Sequence, residues 1–138
     1  MTTTTVQLRS IPDTEAAVGW SGAHTIVVDR PDGKAGGKGL GFNGGQLLGL
    51  AIGGCFCNDL QYVAHEMGHT PRVTAGGSRR DFEGTPLIAT QAVMRVNVTA
   101  SEKDAGIAAL IKRARDISAV ANTLKRGLSV ETIVNKDG

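Results

Sequence analysis

The chain has 138 residues, the size of one domain, and its charges nearly balance at a formal +2, too little to propose nucleic acid or an anionic membrane as partner. Aromatic residues make up 4% of it, which leaves no stacking platform for bases, and no apolar stretch reaches the roughly 18 residues expected of a membrane span. Glycine is the outlier at 19 residues, much of it between Gly33 and Gly54 and between Gly76 and Gly84.

Met1 and the four threonines after it lack the basic and apolar regions of a secretory signal, so residues 1–5 read as a frayed tail of a single domain spanning 1–138. Val6–Ile11 alternates apolar and polar residues and predicts an edge strand. His24–Asp29, β-branched and apolar, predicts another. Pro31-Asp32-Gly33 then supplies a turn, and Gly36–Gly45 a flexible glycine-rich connection. It lacks the Lys-Ser/Thr ending of a phosphate loop.

Gln46–Met67 is the main helix candidate, nearly all apolar in its first half and so expected to be buried on most sides. Such a helix is roughly 30 Å long. Gly49, Gly53 and Gly54 each cost it about 1 kcal/mol relative to alanine, which predicts close packing there. Gly68 and Pro71 end it.

Pro71–Ala75 and Leu87–Thr99 read as strands, with Gly76–Gly84 between them as a mobile hairpin carrying a solvated Arg79-Arg80 tip. Ser101 and Asp104 form a variant of the capping box. The helix they open aligns Ile107, Leu110, Ile111, Ala114 and Ile117 on one stripe. A second short helix, Ser118–Lys125, ends at Gly127. Leu128–Val134 is expected to close the chain as a strand. Strands and helices are grouped rather than alternating, so the fold class is α+β.

Two cysteines, Cys55 and Cys57, lie two apart on the long helix. Their side chains point about 200° apart around the axis and are poorly placed to bridge each other. Free thiols point to a reducing, cytoplasmic setting. Cys55 shares a helical face with Leu48, Ala51, Ile52, Asp59, Tyr62 and Glu66, whereas Cys57 faces Gly53, Leu60 and Ala64. Taken alone, both fit buried small hydrophobes. A catalytic thiol needs a nearby cation or a helix N-terminus, and an ionised Asp59 one turn on works against a thiolate. His65-Glu66-Met67-Gly68-His69 spells the HExxH pattern of zinc proteases. Gly68 inside it and Pro71 beyond it place His69 past the last stable turn, so a polar helix end is the better reading.

The segment VVDRPDGKAGGKGLGFNGGQLLGLAIGGCFCNDLQYVAHEMG resembles the first motif of the OsmC/Ohr family, an acidic residue, a Gly-Gly loop and a helix carrying a cysteine. SAVANTLKRG resembles the second motif, and the likeness covers roughly residues 18–135. The resemblance implies an OsmC-like fold, with a long central helix against antiparallel sheet in an intertwined homodimer whose sites lie at the subunit interface. It implies no cofactor and no metal. Cys55 falls on the family's peroxidatic cysteine, which attacks a hydroperoxide and becomes a sulfenic acid. Ser118 falls on the resolving cysteine, so the intramolecular disulfide step is lost. The family's Pro-Glu pair falls on Gly44 and Gly45, with Gln46 the nearest polar stand-in for a glutamate that orients an activating arginine.

That arginine should come from the N-terminal strands, but none lies between Arg9 and Arg30, and Arg30 sits close to the turn. His24 could face the site, although a lone strand histidine is more often structural or solvated. Without a cation beside it, a thiol is only a few per cent ionised at neutral pH. Two functions follow. One is reduction of organic hydroperoxides by Cys55 in oxidative-stress defence, with an external thiol as reductant. The other is non-catalytic binding of a small hydrophobic ligand at the dimer interface.

Overall fold

The computed structural model describes residues 1–100 and 106–135, with backbone only at 74 and 75. The Ser101/Asp104 capping box lies outside the described residues. In chain order the elements are β1 (Gln7–Ser10), β2 (Ala17–Ser21), β3 (His24–Val28), α1 (Gly44–Met67), β4 (Pro71–Glu83), β5 (Ile88–Ala100), α2 (Ile107–Ile117) and α3 (Ala119–Arg126). They form two compact units, Met1–Leu50 and Ala51–Gly138, which divide within α1.

The first unit is an antiparallel meander in the order β1-β2-β3. Strand β2 was not expected from the sequence, because Gly19 and Trp20 blur its alternation. Its pairing is nevertheless regular, with Gly19 opposite Leu8 on one side and Ile26 on the other. Gly22, at φ +57°, makes the two-residue turn into β3 that a side chain would strain.

The glycine-rich connection after β3 is tied down, against the expectation of a flexible loop. It returns alongside β3 through Phe42 N–H to Val27 O at 2.9 Å and Asp29 N–H to Phe42 O at 3.1 Å. The buried Asp29 carboxylate holds it from inside. Its Oδ2 accepts from the amides of Lys38 (3.1 Å) and Leu40 (3.0 Å), and its Oδ1 from the amide of Arg30 (2.8 Å). At Gly41 a Cβ would collide with the Val27 carbonyl, so the close return needs glycine.

Helix α1 starts two residues earlier than the pattern suggests because Asn43 caps it. Asn43 Oδ1 accepts from the Gln46 amide, and Gln46 Oε1 from the Asn43 amide, each at 2.9 Å. This reciprocal pair satisfies two amide donors at the helix entrance. The other end closes with His69 N–H on Ala64 O at 2.9 Å and Gly68 at φ +72°, a Schellman motif that needs the left-handed glycine.

In the second unit α1 lays Phe56, Leu60, Val63 and Ala64 against Leu110 and Ala114 of α2, with Val73, Met94, Val96 and Val98 of the hairpin packed onto the same cluster. Leu60 and Leu110 are completely buried, each worth about 1.5–3 kcal/mol over the exposed state. By length and composition α1 could cross a bilayer, which corrects the expectation from apolar run length. One face of it packs into the core, but only 33% of its apolar window is buried, so the expected burial on most sides is not met within this chain, and Asp59 is half-buried.

Three further expectations are corrected. Gly76 and Gly77 are not in the connection of the hairpin but inside its first strand: β4 runs through them to Glu83, paired with β5 from Pro71↔Ala100 to Glu83↔Ile88. The long ladder supplies the hydrogen bonds that offset the poor strand propensity of glycine. Arg79 and Arg80 accordingly lie within β4, not at a tip, with Arg79 paired to Asp81 at 3.1 Å. Leu128–Val134 forms no strand, and its apolar residues stand in solvent, Val130 at 87% exposure. A strand pattern stays open where no edge is offered to it. Lastly, a methyl at Gly53 or Gly54 would meet nothing within 4 Å, so their expected close packing is not made within this chain.

Candidate functional site

The site is built where α1 meets the junction of α2 and α3. Cys55 is half-buried on α1, and its Sγ lies 3.4 Å from Asp59 Oδ2 and 3.5 Å from Ser118 Oγ. The four-residue spacing from Cys55 to Asp59 stacks the two side chains one turn apart on one face, so the first contact follows from the helix alone. The thiol donates to the carboxylate.

The second contact spans 63 positions of sequence and depends on a local break. Ser118 sits between α2 and α3 with φ −60° and ψ 112°, and it starts α3 without capping it by its side chain. Its backbone serves both helices, through Ser118 N–H to Arg115 O at 3.4 Å and Asn122 N–H to Ser118 O at 3.0 Å. The hydroxyl oxygen, which in a serine at such a position usually accepts from an amide N–H of the next turn, makes no such bond, and the hydroxyl donates to the sulfur instead. Ser118 is 2% exposed, and burial favours a polar group that has found its partner. The two groups hydrogen-bonded to the sulfur are thus a carboxylate that accepts and a hydroxyl that donates.

Of the other residues singled out from sequence, Gln46, Arg30 and His24 belong to the first unit and His65 and His69 to the second. Gln46 is engaged at the helix entrance with Asn43, nine residues before Cys55, and Gly44 and Gly45 form the first turn. Arg30 is bound within the N-terminal unit, its guanidinium 3.4 Å from Asp29 Oδ1 and 3.5 Å from Glu15 Oε2. His24 is exposed at the start of β3, opposite Ser21. His65 lies in the last turn of α1, while His69 falls beyond the Schellman turn, which removes the shared helical face that HExxH needs. Among the described residues no group of three His, Cys, Asp or Glu could hold a metal.

Ile52 and Phe56 of α1 line an open cleft of about 990 Å³ together with Met94 and Val96 of β5, Ile111 of α2, Leu124 of α3 and the polar Arg95, Asn97, Arg115 and Lys125. Cys55 itself does not line this cleft. Asp59 and Ser118 were both visible in sequence, one as the next turn of the helix and the other by position in the second motif. That Ser118 holds the sulfur was not, because nothing local announces where its hydroxyl turns.

The sequence profile of OsmC-like proteins matches residues 36–133, most of the chain. The chain belongs to the OsmC family. Solved structures share the fold of this OsmC-like protein at low identity. An OsmC-like protein of unknown function from Vibrio cholerae superposes with a TM-score of 0.74 at 12% identity, over 89% of this chain and 94% of that one. An organic hydroperoxide resistance protein OsmC from Legionella pneumophila gives 0.62 at 17% identity, over 91% and 90%. The organic hydroperoxide resistance protein OhrB of Bacillus subtilis gives 0.58 at 18%, over 88% and 90%. No curated protein matches by sequence.

Proposed function

We propose that this OsmC-like protein reduces organic hydroperoxides through Cys55, in defence against oxidative stress in the cytoplasm. The observation that carries the reading is the half-buried sulfur held between Asp59 and Ser118, on a helix inside the residues that the OsmC-like profile matches. The sulfur attacks the terminal oxygen of the peroxide, so that a thiol and ROOH become a sulfenic acid and ROH. Ser118 has no thiol to offer. The sulfenic acid therefore returns to thiol at the cost of two molecules of an external thiol, with release of water and a disulfide. Mixing the reduced protein with an alkyl hydroperoxide is expected to give one sulfenic acid at Cys55 and none in Cys55→Ser. Equal peroxide consumption by that variant refutes the reading.

A second copy of the chain is proposed as partner. Leu50 and Tyr62 of α1 are exposed, Gly53 and Gly54 border open space, and the strand-patterned Leu128–Val134 segment has no ladder. A homodimer gives all of these a place to be buried. A stable monomer at micromolar concentration in sedimentation would contradict it.

The open cleft supports a second reading, non-catalytic binding of a small hydrophobic ligand. Its lining combines the apolar Ile52, Phe56, Met94, Val96, Ile111 and Leu124 with the polar Arg95, Asn97, Arg115 and Lys125, apolar surface with a few polar groups as in small-molecule sites. Ligand-induced thermal stabilisation that is unchanged in Cys55→Ser, together with no peroxide turnover, would favour this reading over the first.

A further inference from the structure

We infer that Asp59 is a catalytic residue, the acceptor that takes the thiol proton of Cys55 as the sulfur reacts and then delivers it to the leaving alkoxide. This rests on Cys55 being the reacting thiol, and adds how that thiol is activated. Asp59 Oδ2 stands 3.4 Å from the sulfur, within reach of a proton that leaves sulfur only as the new bond forms.

Three features fit that role. Asp59 Oδ2 already receives the thiol hydrogen. The pair is fixed by the helix near the middle of 24 residues of α1, so little reorganisation is needed at the moment of transfer. Among the described residues, no ion pair engages the Asp59 carboxylate. Ser118 completes the arrangement as a positioning donor. Its hydroxyl occupies one side of the sulfur, which leaves the thiol hydrogen directed at Asp59 and another sulfur lone pair for the peroxide.

The step balances without a further reagent. A sulfur lone pair attacks the hydroxyl-bearing oxygen of ROOH, the S–O bond forms and the O–O bond breaks. The sulfur proton passes to Asp59 and from there to RO⁻, which leaves as ROH, while the transferred OH remains on sulfur as the sulfenic acid. Sulfur is oxidised by two electrons and the peroxide reduced by two. Asp59 starts and ends as a carboxylate.

The test compares the protein with Asp59→Asn, an isosteric change, and with Asp59→Glu, following tert-butyl hydroperoxide reduction and alkylation by iodoacetamide in parallel. The peroxide rate constant of Asp59→Asn is expected to fall roughly a hundredfold or more, the usual worth of a positioned general base. Its alkylation, which needs no proton acceptor for a leaving alkoxide, is expected to hold. Asp59→Glu should recover part of the peroxide rate, and the wild-type reaction should slow in D₂O while that of Asp59→Asn does not. Peroxide reduction as fast in Asp59→Asn as in the wild type would overturn Asp59 as acceptor and leave Cys55 as the reacting thiol. A parallel loss of both reactions, with an unchanged melting temperature, would also overturn it. A wild-type protein that alkylates but does not reduce peroxide would overturn the hydroperoxide reading and this inference together.

Discussion

Replacing Ser118 by cysteine probes the geometry of the site independently of any activity. Ser118 Oγ and Cys55 Sγ are 3.5 Å apart, and a disulfide needs about 2.05 Å. The longer C–S bond of the new side chain and a modest rotation of each residue close the difference. The two positions are 63 apart in sequence, and a bridge over a loop of that length restricts the unfolded chain by about 4 kcal/mol at 25 °C in the chain-entropy treatment. At roughly 3–5 °C per kcal/mol for a chain of this size, Ser118→Cys should melt on the order of 10 °C higher when oxidised than when reduced. Mild oxidation should also remove two titratable thiols and lower the mass by two hydrogens, whereas Ser118→Ala should show neither effect. If the introduced thiol and Cys55 both stay titratable after oxidation, with no rise in melting temperature, the approach of Ser118 to the sulfur is wrong.

Leu60→Ala should cost about 2–5 kcal/mol in denaturant unfolding, since Leu60 is completely enclosed by Phe56, Val63 and the α2 residues of the core. Gly54→Ala puts a methyl into open space in one chain and by helix propensity alone should add about 1 kcal/mol. If a second copy packs there, sedimentation should instead show weakened association, and a simple gain in stability with unchanged mass would count against the homodimer. The Asp29 carboxyl is held below the usual carboxylate range, chiefly by the Leu40 amide, with the Lys38 and Arg30 amides and the Arg30 charge assisting and burial opposing. Its contribution is therefore complete above the unfolded value of about 3.9 and is lost as pH falls through the lower folded value. Thermal melts should show an acid-side decline that is flatter in Asp29→Asn. A variant with the same decline as the wild type would mean that Asp29 does not hold the loop. Asp116 is also lowered, by exposed Lys112, and should matter less because solvent screens that pair.

Much of the architecture is legible without coordinates because it follows from local chemistry. The apolar first half of α1, from Leu47 to Phe56, marks a helix with a face for the core, Gly68 and Gly127 stop their helices at positive φ, and the stripe from Ile107 to Ile117 marks α2. The stacking of Cys55 over Asp59 is also local, since four residues make about one turn. The start of α1 was there to be read as well, in Asn43 and Gln46, whose side chains cap each other across three positions.

Other features depend on partners far away in sequence, and there local signals point astray or fall silent. The glycines of β4 suggest a loop until a thirteen-residue neighbour, β5, pairs with them. Leu128–Val134 has the composition of a strand but meets no edge, because a strand exists only as half of a ladder. Asp29 looks like one turn acid among several until the loop folds back to place two amides on its Oδ2. Ser118 by sequence is a cysteine lost. Only the bend between α2 and α3, which frees its hydroxyl from capping and turns it onto a sulfur from another helix, makes it part of the site.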